Sequence, residues 1–318
     1  SADESWYWRA PVLFDTVAYP DETHMWWSQP DLAAKWAPPE DRDDSDGQAE
    51  ADLRWQEHVD FVRTTVRRRD WPEGRAPRDL PRMLALIGLA APASSAYRAL
   101  ERLYPVDSEA GHAMPHRQAA AQIGWSARML FNRPEATALV RRGSQDPYWK
   151  LVLEYCAAGC LPAVLEEYLH LLKGESRATA AKAATGCPEI ARAVAEALTI
   201  RATTLDADDI VVEDVAADPD SGGVTLARHS MRSLFAMRFG GDRTEDREQI
   251  QRDSAVRQAF NSPFWPFVLA TTSVGQEGLD FHRYCHAVVH WNLPSNPVDL
   301  EQREGRIQRY KGHAVRKN

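Results

Sequence analysis

Apolar residues return every three or four positions through most of the first 198 residues, the period of amphipathic helices. Trp55, Val59, Val62 and Val66 mark the first such helix. Further helices are predicted over 79–90, 93–104, 115–131 and 134–142. The stretch 148–158 reads as another, with Gly159 as its stop. Pro162 then suits the first turn of a helix running to Leu172, with Gly174 as the carboxy-terminal glycine. A last helix is predicted over 188–198, completing an all-α block in which the Trp and Tyr positions read as core packing.

Beyond Thr199 the apolar residues gather into short runs. IVVEDV (210–215) and VTLAR (224–228), separated by DPDSGG, predict a β-hairpin with a longer loop. SLFAMRF (233–239) suits a strand, and TEDREQIQRDSAVRQAF (244–260) an amphipathic helix. Two apolar runs follow, FVLATT (267–272) and AVVHWNLP (287–294), and then a helix carrying QREGRIQR (302–309). Short apolar runs alternating with helices predict an α/β sheet layer. No internal repeat is evident.

Before the helical block, residues 1–37 hold five of the eleven tryptophans (Trp6, Trp8, Trp26, Trp27 and Trp36), and PPEDRDDSDGQAEAD (38–52) reads as an acidic connector. The 318 residues leave room for two ordinary domains, and the 44% apolar and 26% charged composition is that of a globular protein. No apolar run approaches the roughly 20 residues that span a bilayer, so no membrane partner is expected. The opening SADESWYWRA lacks the layout of a secretory signal, and Ser1 in place of an initiator methionine suggests an excised piece of a longer polypeptide. Cys156, Cys160, Cys187 and Cys285 are too scattered for a disulfide scaffold and fit reduced thiols in a cytoplasm. Cys156 and Cys160 lie four apart, but no matching pair accompanies them, so no metal site is assigned. The net charge of −8 conceals an asymmetry: from Arg228 onward there are 14 Lys and Arg against 10 Asp and Glu, which leaves 24 against 36 elsewhere. A basic end on an acidic bulk suits a protein that meets polyanions with one face.

The chemistry concentrates near the carboxy terminus. FVLATTSVGQEGLDFH places a threonine-ended run before a glycine-containing loop, and NPVDLEQREGRIQRYKGH places arginines on a helix after the second apolar run. In that order the two strings resemble motifs V and VI of superfamily 2 helicases, and within them the Swi/Snf-like and bacterial remodelling ATPases. RFGGDRTEDREQIQRDSAVRQAFNSP resembles the segment that precedes those motifs, so the likeness runs from Arg238 to His313. It implies a partial RecA-like parallel-sheet domain over 206–318, preceded by a mainly helical module over 1–205 that is similar to an insertion of large bacterial helicase-like proteins. VLFDTVAY (12–19) loosely resembles motif IV, a first strand.

Arg306 and Arg309, three apart, would share one helix face and converge on one phosphate. The resemblance implies that they are arginine fingers stabilising charge on a transferred phosphoryl group. It makes Gln302 a residue coupling the nucleotide to the domain interface, Thr272 a contact to the nucleic-acid backbone, and Asp280 a carboxylate that reaches the ribose or holds a finger arginine. Gly278 permits close backbone approach. Gln276 and Glu277 are unassigned, and Arg303 and Lys311 fall outside the pattern.

DETH (21–24) spells a Walker B tetrad, but Pro20 precedes it, and no Gly-Lys dipeptide for a phosphate-binding loop occurs anywhere in the chain. His282, His286 and His290 straddle a loop and a predicted strand, where four-residue spacing does not gather side chains. His112, His116, Glu166, Glu167 and His170 read as structural. The expectation is therefore the carboxy-terminal portion of an ATP-dependent helicase or translocase. ATP and Mg²⁺ would be held mainly by an amino-terminal RecA-like domain of the same polypeptide, and nucleic acid, DNA ahead of RNA, would be the partner. The alternative is a non-catalytic nucleic-acid-binding or protein-docking scaffold derived from a helicase.

Overall fold

The computed structural model describes residues 4–29, 45–105, 114–175, 182–198, 203–212, 224–233, 257–264, 268–269, 281–310 and 312–317. The chain divides into two compact units, Ser1–Ala195 and Glu196–Asn318.

The first unit opens with α1, Glu4–Ala18. Tyr7, Ala10 and Leu13 are buried three residues apart, the spacing of one helix face, and Thr16 donates its hydroxyl to the Leu13 carbonyl at 2.7 Å. The stretch 12–19, expected as a motif IV strand, is therefore the second half of this helix. Its buried positions follow a period of three, whereas a strand buries alternate residues. Helix α2 (Pro20–Trp27) has Pro20 in its first turn. The hydroxyl of buried Thr23 donates to the Asp15 carbonyl at 3.1 Å and staples the corner between the two helices.

Helix α3 (Ser45–Arg68) begins inside what the composition suggested was a connector, and it buries Val59, Val62 and Val66. It ends at Arg69, which adopts a left-handed φ of 56°. A loop leads to α4 (Leu80–Ala90) and α5 (Pro92–Leu103), each with proline in its first turn. Helices α6 (Met114–Phe131), α7 (Pro134–Arg141), α8 (Tyr148–Ala158), α9 (Leu161–Glu175) and α10 (Ala183–Leu198) follow. Most boundaries lie within two residues of the periodicity reading. Two differ. Gly174 lies inside α9, whose last turn is tied down by Lys173 donating to the Leu103 carbonyl and sitting over the Tyr104 ring at 4.3 Å. Helix α10 starts five residues before Pro188, because the Lys182 carbonyl accepts from the Thr185 and Gly186 amides at 3.3 and 3.1 Å.

Helices α5 and α6 pack together, and small residues are prominent among those they bury: Ser95, Ala96 and Ala99 beside Leu100 on α5, and Ala119, Ala120, Ser126 and Ala127 beside His116 and Ile123 on α6. At Gly124 a Cβ would sit 2.8 Å from the Ala93 Cβ, closer than two such carbons pack. The glycine weakens α6 locally but lets it approach the start of α5.

A second knot ties three distant segments. Asp79 occupies the N-cap position of α4, yet its side chain caps nothing there. It accepts instead from the Tyr7 hydroxyl of α1 and from Lys150 Nζ of α8, the latter at 2.5 Å. Lys150 also lies 3.0 Å from the Tyr7 oxygen and 4.4 Å above its ring. The Lys150 and Tyr7 hydrogen bonds hold the Asp79 carboxyl below its ordinary range, whereas burial, then the Asp79 carboxylate, raises Tyr7. Trp149 packs its ring edgewise on Tyr7 at 5.1 Å, and Leu80 and Met83 fill the core beneath.

In the second unit β1 (Thr203–Val212) and β2 (Val224–Ser233) form an antiparallel pair, with Ile210 opposite Leu226 and Val212 opposite Val224. This is the expected hairpin, lengthened at its open end. Helices α11 (Pro297–Glu304) and α12 (His313–Lys317) lie near the carboxy terminus. The expected RecA-like parallel-sheet α/β domain is not what the structure shows: the described residues are predominantly helical, and this hairpin is their only sheet. Residues 287–294, expected as a strand, form none, and Val289, Trp291 and Leu293 are 88%, 93% and 79% exposed. Apolar content alone does not make a strand; it needs a neighbour for its amides, and none of the described residues provides a ladder here. The runs 234–239, 244–256 and 270–272 lie outside the described residues. Among those described, no single helix is long and apolar enough to cross a membrane.

Two consequences are measurable. Gly124→Leu overfills the α5–α6 crossing and should destabilise the helical unit by about 1–3 kcal/mol in urea titration, with Gly88→Leu, where a Cβ meets nothing within 4 Å, as the milder control. Lys150→Met should cost about 1 kcal/mol near neutral pH. Because the folded Asp79 pKa is depressed, its contribution is complete above the unfolded carboxylate range and is lost as pH falls through the lower folded value. Asp79→Asn should therefore flatten the acid limb of the stability profile.

Candidate functional site

The segment 281–317 holds the arginines singled out above. Asn296 starts α11: its side-chain oxygen accepts from the Val298 amide at 3.1 Å, and Pro297 supplies the first helical residue. The helix ends at Glu304, with Gly305 as its cap and the Gly305 amide donating to the Glu301 carbonyl at 2.8 Å. The expected helix through 309 is thus interrupted, because glycine is a poor helix former and terminates the ladder. Residues 305–310 continue as turns, in which the Ile307 and Gln308 amides both reach the Glu304 carbonyl, at 3.1 and 3.4 Å.

Gln302 is exposed on α11, whereas Arg306 is half-buried and Arg309 exposed in the turns beyond it. The two arginines are presented by consecutive turns and not by one face of a continuous helix. Arg303 donates to the Asn292 carbonyl at 3.1 Å, and His290 lies 3.5 Å from the Glu304 carboxylate, so the exposed run 287–294 is laid against α11 by polar contacts.

One backbone bond organises the rest. The His313 amide donates to the His282 carbonyl at 2.8 Å, while the Gly312 amide closes back on the Arg309 carbonyl at 2.8 Å. A Cβ on Gly312 would lie 2.8 Å from the Arg309 oxygen and 3.1 Å from that of Ile307, so only glycine fits there. Around this staple His313 lies 5.2 Å from the His286 ring and 6.3 Å from Tyr284, and Arg316 sits 5.1 Å over Tyr284. Buried Phe281 packs edgewise on Phe260 at 5.5 Å. The chain just after Asp280 is therefore anchored beside the turn that bears Arg309. Thr272, Gly278 and Asp280 themselves, with Gln276, Glu277 and Lys311, lie outside the described residues. The sequence reading missed Gly312 and the His282–His313 bond; the glycine was visible, but its partner carbonyls were not.

The other motifs resolve as packing. DETH lies on α2, where Glu22 pairs with Arg117 at 2.5 Å and Thr23 is buried. It does not end a strand, as a Walker B tetrad must. His116 is buried with Nε2 2.6 Å from the Tyr104 carbonyl, and Glu166 pairs with Arg102 at 2.5 Å. Burial pushes the Cys156 and Cys187 thiols up to about 12, so neither offers a thiolate, and Cys160 is exposed with a φ of 53°. Among the described residues no three His, Cys, Asp or Glu side chains are grouped to hold a metal ion.

Comparison with known proteins gives one likeness: residues 241–311 match the model of the helicase conserved C-terminal domain. No curated protein and no solved structure matches the chain. The matched stretch takes in α11, the turn of Arg306 and Arg309, and the Phe281 anchor, and it overlaps almost entirely the segment picked out by motif resemblance. Residues 241–311 are thus consistent with the carboxy-terminal domain of a superfamily 2 helicase.

Proposed function

We propose that this chain is the carboxy-terminal part of an ATP-dependent helicase or translocase acting on nucleic acid, and that its turn 305–310 delivers Arg306 and Arg309 to an ATP phosphate held by an amino-terminal motor domain. The carrying observation is the Gly312 staple, which sets the Arg309 turn beside the chain that leaves Asp280, inside the stretch matching the helicase domain.

Phosphoryl transfer spreads negative charge over the transferred group, and a guanidinium from a neighbouring domain stabilises it without needing covalent chemistry. Arginine suits this because it stays charged and donates two parallel hydrogen bonds. Arg309, which is exposed, would act as the finger, and half-buried Arg306 would share the charge. Gln302 lies exposed on the preceding helix and senses the same interface. ATP and Mg²⁺ would be gripped by residues of that other domain, since this chain has no Gly-Lys phosphate loop. Thr272 would touch the nucleic-acid backbone, and Asp280 the ribose or a finger arginine. Binding through backbone phosphates is salt-sensitive and largely indifferent to sequence.

By itself the chain should hydrolyse ATP negligibly, with or without DNA, and robust turnover by the purified chain would show a nucleotide site that the reading lacks. In the full motor protein, Arg309→Ala should lower kcat by about 10³-fold or more while ATP binding is largely retained. Parallel loss of ATP binding would remove Arg309 from the finger role.

A further inference from the structure

A second surface, on the helical unit, combines exposed aromatic rings with exposed arginines. Between residues 63 and 82 the sequence carries seven arginines against Asp70, Glu73 and Asp79, in a chain whose net charge is −8. Arg63 is engaged with the Trp27 and Gln29 carbonyls, Arg82 with Glu154, and Asp79 with Lys150. Arg67, Arg68, Arg69, Arg75 and Arg78 are all exposed and make no ion pair or side-chain hydrogen bond among the described residues.

Helix electrostatics accounts for only some of these charges. Arg67 and Arg68 close α3, where cations suit the carbonyl end of the dipole. Arg75 and Arg78 instead approach the amino terminus of α4, the end that disfavours them. Their charge is therefore not explained by stability of the fold.

The same loop carries Trp71, 46% exposed, in edge contact with Phe14 of α1 at 5.5 Å; Phe14 is 53% exposed. Trp6 backs Trp71 at 6.2 Å, and buried Pro72 together with Ala76 seats the loop on α1. Between loop and helix lies a depression of about 590 Å³ lined by Ser5, Arg9, Asp70, Trp71, Pro72 and Glu73. Arg9 stacks over Phe61 at 4.9 Å, and its Nε is buried without a hydrogen-bond partner. The loop thus carries exposed arginines on both sides, in sequence, of an aromatic ring that packs against α1.

We propose that this surface binds single-stranded nucleic acid: the exposed arginines of the loop take backbone phosphates and a base stacks on Trp71 and Phe14. Stacking on an aromatic side chain is available to unpaired bases and denied to paired ones, while arginines follow the backbone irrespective of sequence. Asp70 and Glu73 would repel a phosphate in the depression itself but can accept from base N–H groups, the ring N3–H of thymine and uracil included, which places the base inward and the phosphates outward. An acidic peptide would satisfy the arginines and leave the rings unused. This inference concerns the helical unit and stands independently of the finger arginines.

The test is fluorescence anisotropy of the whole chain with labelled oligothymidylate, oligouridylate and a mixed-sequence duplex of equal length, across a salt series. Arg75→Glu with Arg78→Glu leaves every packed residue in place. It should weaken binding to the single strand at least about tenfold and reduce the salt slope by about 1.4, the share of two phosphates. Trp71→Ala should weaken it further, and wild-type Trp fluorescence should fall on binding. The oligothymidylate and oligouridylate arms decide whether the strand is DNA or RNA. Unchanged affinity and slope in the double variant, or tighter binding of the duplex than of either single strand, would overturn the proposal. Loss of binding in Arg306→Ala/Arg309→Ala while Arg75→Glu/Arg78→Glu binds normally would also overturn it, and would leave the finger assignment standing.

Discussion

The helical unit depends on Tyr7, Asp79 and Lys150 meeting in one place. They come from α1, the loop before α4 and the start of α8, and a carboxylate shared between a phenol and an ammonium holds them. Asp79 forgoes capping its own helix to serve this knot. The exchange favours the fold because the loop from Arg69 to Asp79, otherwise held by little backbone bonding, is then clamped at its far end while Trp71 and Pro72 seat its middle on α1. The clamp and the packing of Trp71 together fix both parts of the loop that presents Trp71 and the exposed arginines, and an aromatic ring held in place before binding loses less entropy than a mobile one.

The second unit solves a related problem with backbone rather than charge. Gly305 ends α11, and Gly312 lets the chain fold back close enough for His313 to reach the His282 carbonyl. Between these two glycines the chain presents Arg306 half-buried and Arg309 exposed. A turn closed at both ends can hold a guanidinium at a set position without the length of a helix, which is what the proposed finger role would require.

Much of the local organisation was legible in the sequence. The helices at 80–90, 92–103, 114–131, 134–141 and 148–158 follow from apolar spacing, proline at first turns and glycine at ends, all of which act over a few residues. The hairpin followed from two β-rich runs around DPDSGG. The carboxy-terminal strings were also recognisable as a helicase C-terminal segment, because motif order is written along the chain. Errors fell where a run of apolar residues had two readings. VLFDTVAY looks like a strand in isolation, but Tyr7 and Ala10 ahead of it extend the period of three. AVVHWNLP has strand composition, yet among the described residues it has no ladder partner and shows its apolar side chains outward.

By itself, then, the sequence determined where the helices between residues 80 and 158 lie, where charge accumulates and which family the last segment resembles, since each is a property of neighbours along the chain. Only the tertiary structure decided that Asp79 serves Lys150 rather than its own helix, that Gly124 and Gly312 sit where a methyl group would collide, and that Trp71 lies against Phe14 beside unpaired arginines. These depend on which distant groups arrive at the same point, and distance along the chain carries no record of that.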